Sequence, residues 1–263
     1  MEEDAYAEMR EQEERHWWFR GRRAIIWALL HHASLPPSPR LLDAGCGTGR
    51  NLVEFGRLGP ALGVDPSAEA VEFCHQRGLG DVRCARLECL PFATGAFDLV
   101  LACDVLEHIE DDVGALRELR RVTSDGGYLI ITVPAYQWMW TQHDVQLHHL
   151  RRYTGAVLRA RVETSGWTVA RATFFNSILF PAVAVARLIT GSSSRRGHTD
   201  LDRTPATLNR LLELPMRLEA AMVRRGMTLP AGVSLGLVCR APGVKDLVDG
   251  YEAPRDPRGD RLH

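Results

Sequence analysis

Apolar positions between residues 41 and 133 come in short runs, each closed by a turn signal and most followed by a segment with helical spacing. Leu41 and Leu42 open the series as a short strand ahead of a glycine-rich turn, and Asn51, Leu52, Val53 and Phe55 continue as a helix. The alternation then predicts a strand over 61–64, a helix over 67–77 with Ser67 as N-cap, and strands over 82–85 and 97–102. A helix over 111–122 and a strand over 128–133, entered from Gly126-Gly127, follow. Strands separated by helical segments of about ten residues require crossover connections and a parallel sheet covered on both faces. The core is therefore α/β and doubly wound.

The flanks are less regular. Residues 4–32 read as one charge-rich helix carrying Tyr6, Trp17, Trp18, Phe19, Ile25, Ile26, Trp27, Leu29 and Leu30, ended by Pro36, Pro37 and Pro39. Beyond it the pattern predicts a helix over 154–164, a strand over 167–174, a flexible linker over 191–197, a helix over 206–225 and a last strand over 233–239. The most apolar run, 174–189, is interrupted by Asn176, Ser177, Pro181 and Arg187 and falls short of the roughly 20 residues a membrane span needs. It reads either as a buried or lid helix, or as an interfacial helix in peripheral contact with a membrane. One domain over 1–248 is expected: a helical cap (1–35), a core (38–135), an inserted segment (136–230) and a last strand (231–241). The polar tail 249–263 is expected to be disordered.

Composition narrows the function classes. With 263 residues, 45% hydrophobic, folding would remove roughly 31,000 Å² from solvent, enough for a core without disulfides or structural metal. Thirty-two basic against 33 acidic residues leave a net charge of −1, so no nucleic-acid partner is expected. Six cysteines without a C-x-x-C pair fit free thiols, and an acidic start without a signal-peptide pattern fits a cytoplasmic location.

The chemistry concentrates in Leu41-Leu42-Asp43-Ala44-Gly45-Cys46-Gly47-Thr48-Gly49. Glycines at this density between a strand and a helix let the backbone approach a ligand closely. A P-loop fails because Arg50-Asn51 follow Gly49, and a dinucleotide fingerprint fails because Arg50 and Leu52 occupy its third glycine position in either frame. The segment instead resembles motif I of the class I S-adenosylmethionine-dependent methyltransferases, and the likeness runs from Leu41 to Val133. The resemblance implies a mostly parallel seven-stranded sheet and S-adenosylmethionine as cofactor, leaving as S-adenosylhomocysteine. It places Asp43, Gly45, Cys46, Gly47 and Gly49 in the donor loop, Asp65 with Pro66 at the ribose, and the main chain of Cys103 near the methionine amine. Leu90-Pro91-Phe92 before Phe97-Asp98 matches a further family segment. Its adenine-side acid is replaced by Arg86, so Arg86 and Leu87 are assigned only as neighbours of the ring, with Glu88 either displaced into the role or solvated.

On the acceptor side, Asp104-Val105-Leu106 lacks the pattern of DNA amino-methyltransferases, and Val133-Pro134-Ala135-Tyr136 lacks the Asp-Asn of catechol-type enzymes, so no metal is implied. Residues 14–23 (E-R-H-W-W-F-R-G-R-R) and 144–153 (D-V-Q-L-H-H-L-R-R-Y) resemble a bacterial methyltransferase subgroup in which these segments form the acceptor side. His108, His143 and His149 are candidate bases, with ordinary pKa values near 6.5. Adjacent His148 and His149 point to different sides and do not form a metal pair. Arg151 and Arg152 either receive an acidic acceptor group or are structural. The function implied is in-line methyl transfer to a small-molecule or lipid-like acceptor; the alternative is a module that binds the cofactor and transfers nothing.

Overall fold

The computed structural model describes residues 3–190 and 204–243. The expected linker 191–197 and tail 249–263 lie outside the described residues.

Five strands, β1 (Leu41–Ala44), β2 (Ala61–Asp65), β3 (Val82–Cys84), β4 (Phe97–Cys103) and β5 (Thr123–Pro134), pair in parallel. Two more, β6 (Thr168–Phe175) and β7 (Ser234–Arg240), complete one sheet in the order β3-β2-β1-β4-β5-β7-β6. β7 is antiparallel to both β5 and β6, so β6 runs with β5. The carboxyl ends of β1, β2, β4, β5 and β6 therefore share one edge. Strand order reverses beside β1, which opens a crevice between β1 and β4 at that edge.

The near-continuous apolar strands follow from burial on both faces. Along β4, Val100 and Ala102 join one core cluster with Leu116, Leu119, Leu158 and Val162, while Leu99, Leu101 and Cys103 face another with Ile25, Leu29, Phe55 and Val223. The first cluster involves α5 (Asp112–Val122) and α7 (Gly155–Thr164); the second involves α2 (Trp17–Leu30), α3 (Arg50–Phe55), α4 (Ala68–Gln76) and α9 (Ala206–Arg224). Each fully buried leucine or isoleucine is worth roughly 1.5–3 kcal/mol. Among the helix pairs, α2 and α9 make the most extensive contact, and Gly21 allows it: a Cβ there would sit 2.7 Å from Cβ of Met216.

Three expectations need correction. The single helix over 4–32 is two, α1 (Glu3–Arg15) and α2, because His16 adopts an extended conformation and caps α2 with its ring, accepting from Trp18 N. The polar α1 thereby turns away from the path of the apolar α2. The apolar run 174–189 is not one helix: Phe174 and Phe175 end β6, and α8 (Phe180–Thr190) starts only after the left-handed residue Asn176. Nor is α8 buried, since Leu188 is 75% and Ile189 78% exposed. Among the described residues no helix is long and apolar enough to cross a membrane. Finally, β5 begins at Thr123 rather than 128, because the segment before the glycine turn already pairs with Phe97.

Candidate active site

The donor loop leaves β1 through three left-handed glycines, Gly45 (φ +78°), Gly47 (φ +52°) and Gly49 (φ +84°), a path that L side chains rarely follow. Space forbids a side chain as well: a Cβ on Gly45 would overlap Val105, and one on Gly49 would lie 2.5 Å from Leu79. Asp65, at the end of β2, accepts from Gly47 N at 2.9 Å and Ser67 N at 3.0 Å. Its carboxylate thus ties the donor loop to the start of α4 and keeps lone pairs for a ligand hydroxyl. Burial raises its pKa against the pull of these two amides.

Asp43 lies at the centre of the sheet, between Gly63 and Leu101 in register. It is fully buried, and neither oxygen makes a well-formed hydrogen bond. Burial pushes its pKa up to about 8, opposed chiefly by Arg22. Arg22 projects from α2, ion-pairs with Asp104, and stacks 4.8 Å from the Trp18 ring centroid, while its Nε is buried without a partner. Beside it, Arg23 donates to Glu13 O at 2.8 Å and leaves Nη1 unpartnered; burial lowers its pKa to about 10. Buried donors and acceptors without protein partners therefore meet around one glycine loop, the arrangement a zwitterionic ligand satisfies.

Helix α1 covers this loop. A Cβ on Gly47 would lie 2.9 Å from Cε of Met9, Tyr6 is buried beside Asp65 and Ser67, and Thr48 donates to Glu13. Glu13 and Glu14 also bind Arg77 at 3.1 and 2.8 Å, joining α1 to α4.

At the carboxyl edge, Asp104 and Asn176 directly follow β4 and β6, Tyr136 lies two residues past β5, and all three have φ between +55° and +59°. Such residues cost roughly 1–3 kcal/mol each and concentrate where a fold is shaped for function. Tyr136 stacks on Phe174 at 5.3 Å with an interplanar angle of 8°, and Trp138 and Phe180 lie at 5.9 and 5.6 Å. The His108 and His149 rings, from the segments after β4 and β5, meet edge to face at 4.7 Å. Burial, with His149 second, lowers the pKa of His108 to about 4, so its imidazole is neutral at pH 7. His149 Nδ1 bonds Asp144 Oδ1 at 2.9 Å, and the same carboxylate takes two hydrogen bonds from Arg152, at 2.8 and 2.9 Å.

The sequence-derived residues thus separate into groups. Asp43, Gly45, Cys46, Gly47, Gly49, Asp65 and Cys103 sit together at the ends of β1, β2 and β4. Pro66 is exposed beside them, its carbonyl accepting from the Cys84 thiol at 3.4 Å. Leu87 is buried in the core, whereas Arg86 is exposed and pairs with Glu88 at 2.7 Å. His108 and His149 converge; His143 lies on α6 (Gln142–Gln146), outside that pair. Arg152 is held by Asp144, and Arg151 by Asp112 and Glu110 O. Arg22 and Glu107 join the site although the sequence assigns neither a role of its own. The R-G-R-R segment pointed to α2 but not to its donor-loop face, and nothing in the local pattern marks Glu107 as buried.

Replacing Asp65 by Ala is expected to weaken S-adenosylhomocysteine binding by about 1.5–3 kcal/mol, the worth of hydrogen bonds to a charged group. Titration calorimetry giving parent affinity would argue against a ribose contact at Asp65.

Comparison with known proteins agrees with this geometry. Residues 42–131 match the methyltransferase domain family. An uncharacterized methyltransferase of Schizosaccharomyces pombe is 35% identical over 105 residues, 34% of this chain and 38% of that protein. The ubiquinone biosynthesis O-methyltransferase of Rhodopseudomonas palustris is 33% identical over 105 residues, 38% of this chain and 41% of the relative. The chain thus spans less than half the length of these curated relatives. Among solved structures, a chain of the complex between the Haloferax volcanii Trm112 methyltransferase activator and a candidate methyltransferase superposes with a TM-score of 0.59. The two are 19% identical, with 91% of this chain and 95% of that one covered, which establishes a shared fold.

Proposed function

We propose that this chain, which carries a class I S-adenosylmethionine-dependent methyltransferase domain, methylates a small-molecule acceptor with an apolar body and a polar reacting end. The observation that carries this reading is the ring of buried, unpartnered groups of both signs around the donor loop, the Asp43 oxygens against Arg22 Nε and Arg23 Nη1. They fit the ammonium and carboxylate of a methionine moiety, as Asp65 fits a ribose diol. The family match over residues 42–131 supports the cofactor, and a ubiquinone O-methyltransferase among the relatives supports a small acceptor.

The bound sulfonium supplies an electrophilic methyl group, so the protein's work is alignment and exclusion of water. Arg22 and Asp43 would hold one end of the cofactor and Asp65 the other, beside the crevice between β1 and β4. The wall of Tyr136, Trp138, Phe174 and Phe180 offers apolar surface for the acceptor body. His108, neutral at pH 7, and His149, oriented by Asp144, are the imidazoles placed to meet its reacting end. Transfer of labelled methyl from S-adenosylmethionine into fractionated small-molecule extracts tests the reading. Cofactor binding with no transfer into any fraction would leave the silent binding module instead.

Proton linkage gives a second check. Asp43 is largely protonated in the free protein at pH 7 because its pKa lies near 8. A bound ammonium favours the carboxylate, so cofactor binding at pH 7 should release a proton that is absent in Asp43→Asn. Calorimetry in two buffers of different ionisation enthalpy reads this directly; equal heats for the parent protein would argue against the contact. The sign for stability is opposite to that of an ordinary carboxylate. The raised pKa costs stability progressively as pH rises from about 4 through 8, so Asp43→Asn should be no less stable than the parent at pH 8 to 9.

A further inference from the structure

Glu107, His108 and His149 form a cluster that the proposed transfer does not by itself explain. One ligand atom from each lies within 4.8 Å of the others. Glu107 is fully buried, and neither of its oxygens has a hydrogen-bond partner in another residue. The two arginines whose charge reaches it are occupied elsewhere, Arg22 with Asp104 and Arg152 with Asp144. A carboxyl group withdrawn from water without a partner costs several kcal/mol. A leucine would fill the space without that cost, and a bound cation would supply the partner that the chain does not.

Both histidines are already prepared for one. His149 uses Nδ1 on Asp144, which leaves Nε2 to the cluster, and His108 is held by a hydrogen bond from its ring to the main chain of His148. A carboxylate or carbonyl behind each imidazole is the outer arrangement that orients metal-binding histidines. The backbone is pinned too: Tyr153 Oη donates to Leu106 O at 3.0 Å and Leu150 N to Glu107 O at 2.7 Å, fixing the short 3-10 turn that carries Glu107 and His108. The adjacency of His148 and His149 argues against a pair between neighbours, but the sheet edge pairs His149 with a residue 41 positions earlier.

We propose that Glu107, His108 and His149 bind one divalent transition-metal ion of the zinc type. Two imidazole nitrogens and one carboxylate suit that borderline class, and three protein ligands leave a position open. The open position would take the acceptor's oxygen; this role rests on the methyltransferase reading, whereas the binding site does not.

The test uses the full chain, stripped with a chelator, titrated with Co²⁺ as a spectroscopic probe and with Zn²⁺ by calorimetry. S-adenosylhomocysteine affinity is measured on the same preparations. One ion per chain is expected, with visible absorption for Co²⁺ that Zn²⁺ abolishes. Glu107→Gln and His149→Ala should each lower affinity at least about ten-fold while S-adenosylhomocysteine affinity stays at the parent value. His75→Ala, exposed on α4, should bind as the parent does. Absence of stoichiometric binding, binding that survives in the Glu107→Gln/His149→Ala double variant, or binding of Mg²⁺ alone would overturn the site. Loss of S-adenosylhomocysteine binding in the parent, with the metal retained, would overturn the methyltransferase reading and leave the site standing.

Discussion

Gly45→Ala should lower the stability of the folded chain by about 2–5 kcal/mol and remove measurable cofactor binding. Two costs add. A non-glycine residue in the left-handed conformation costs roughly 1–2 kcal/mol, and forcing a methyl group into a filled site costs about 1–3 kcal/mol. Gly45 has φ +78°, and its Cβ would run into the Val105 side chain. Against the roughly 5–15 kcal/mol that holds a typical domain folded, this is a large fraction. Denaturant unfolding measures the first effect, and titration with S-adenosylhomocysteine the second. The double variant Gly45→Ala/Val105→Ala should keep the conformational cost while escaping the overlap. An unaltered midpoint and affinity in Gly45→Ala would mean that the loop does not follow this path.

Arg22→Met should be equally damaging by another route. The Arg22–Asp104 pair is largely withdrawn from solvent, and removing one partner of a buried pair costs about 3–5 kcal/mol because the other charge is stranded. A loss of cofactor affinity of roughly 10- to 150-fold should accompany it, the equivalent of about 1.5–3 kcal/mol for hydrogen bonds to a charged group. The two effects separate in Arg22→Met/Asp104→Leu, which removes the stranded charge and should recover stability but not affinity. Recovery of both would make Arg22 a purely structural residue. Arg22→Lys should keep part of the stability, yet lose the planar fork that reaches Asp104 and stacks on Trp18 and Phe19.

What the sequence by itself determined is what depends on neighbours along the chain. The alternation of short apolar runs and helical segments marks β1 through β5 because a strand buried on both faces must be apolar throughout. The cap Ser67 marks a helix start because its hydroxyl accepts from the third following amide. The glycine loop was legible for the same reason: three left-handed residues within five demand glycine, and Asp43 and Asp65 each end or sit within a strand whose position the pattern gives. What only the tertiary structure decided is what depends on contacts between distant residues. Nothing local tells that β7 inserts between β5 and β6, because antiparallel insertion is chosen by which edges remain open. Whether α8 would be covered likewise depends on its neighbours in space. The break at His16 follows from the different surfaces that α1 and α2 cover, the loop and the sheet, and that break brings Arg22 against Asp104. His108, His149 and Glu107 come together for a related reason: β4 and the segment after β5 end at the same edge of a parallel sheet, so residues far apart in the chain are delivered to one place by the direction of the strands.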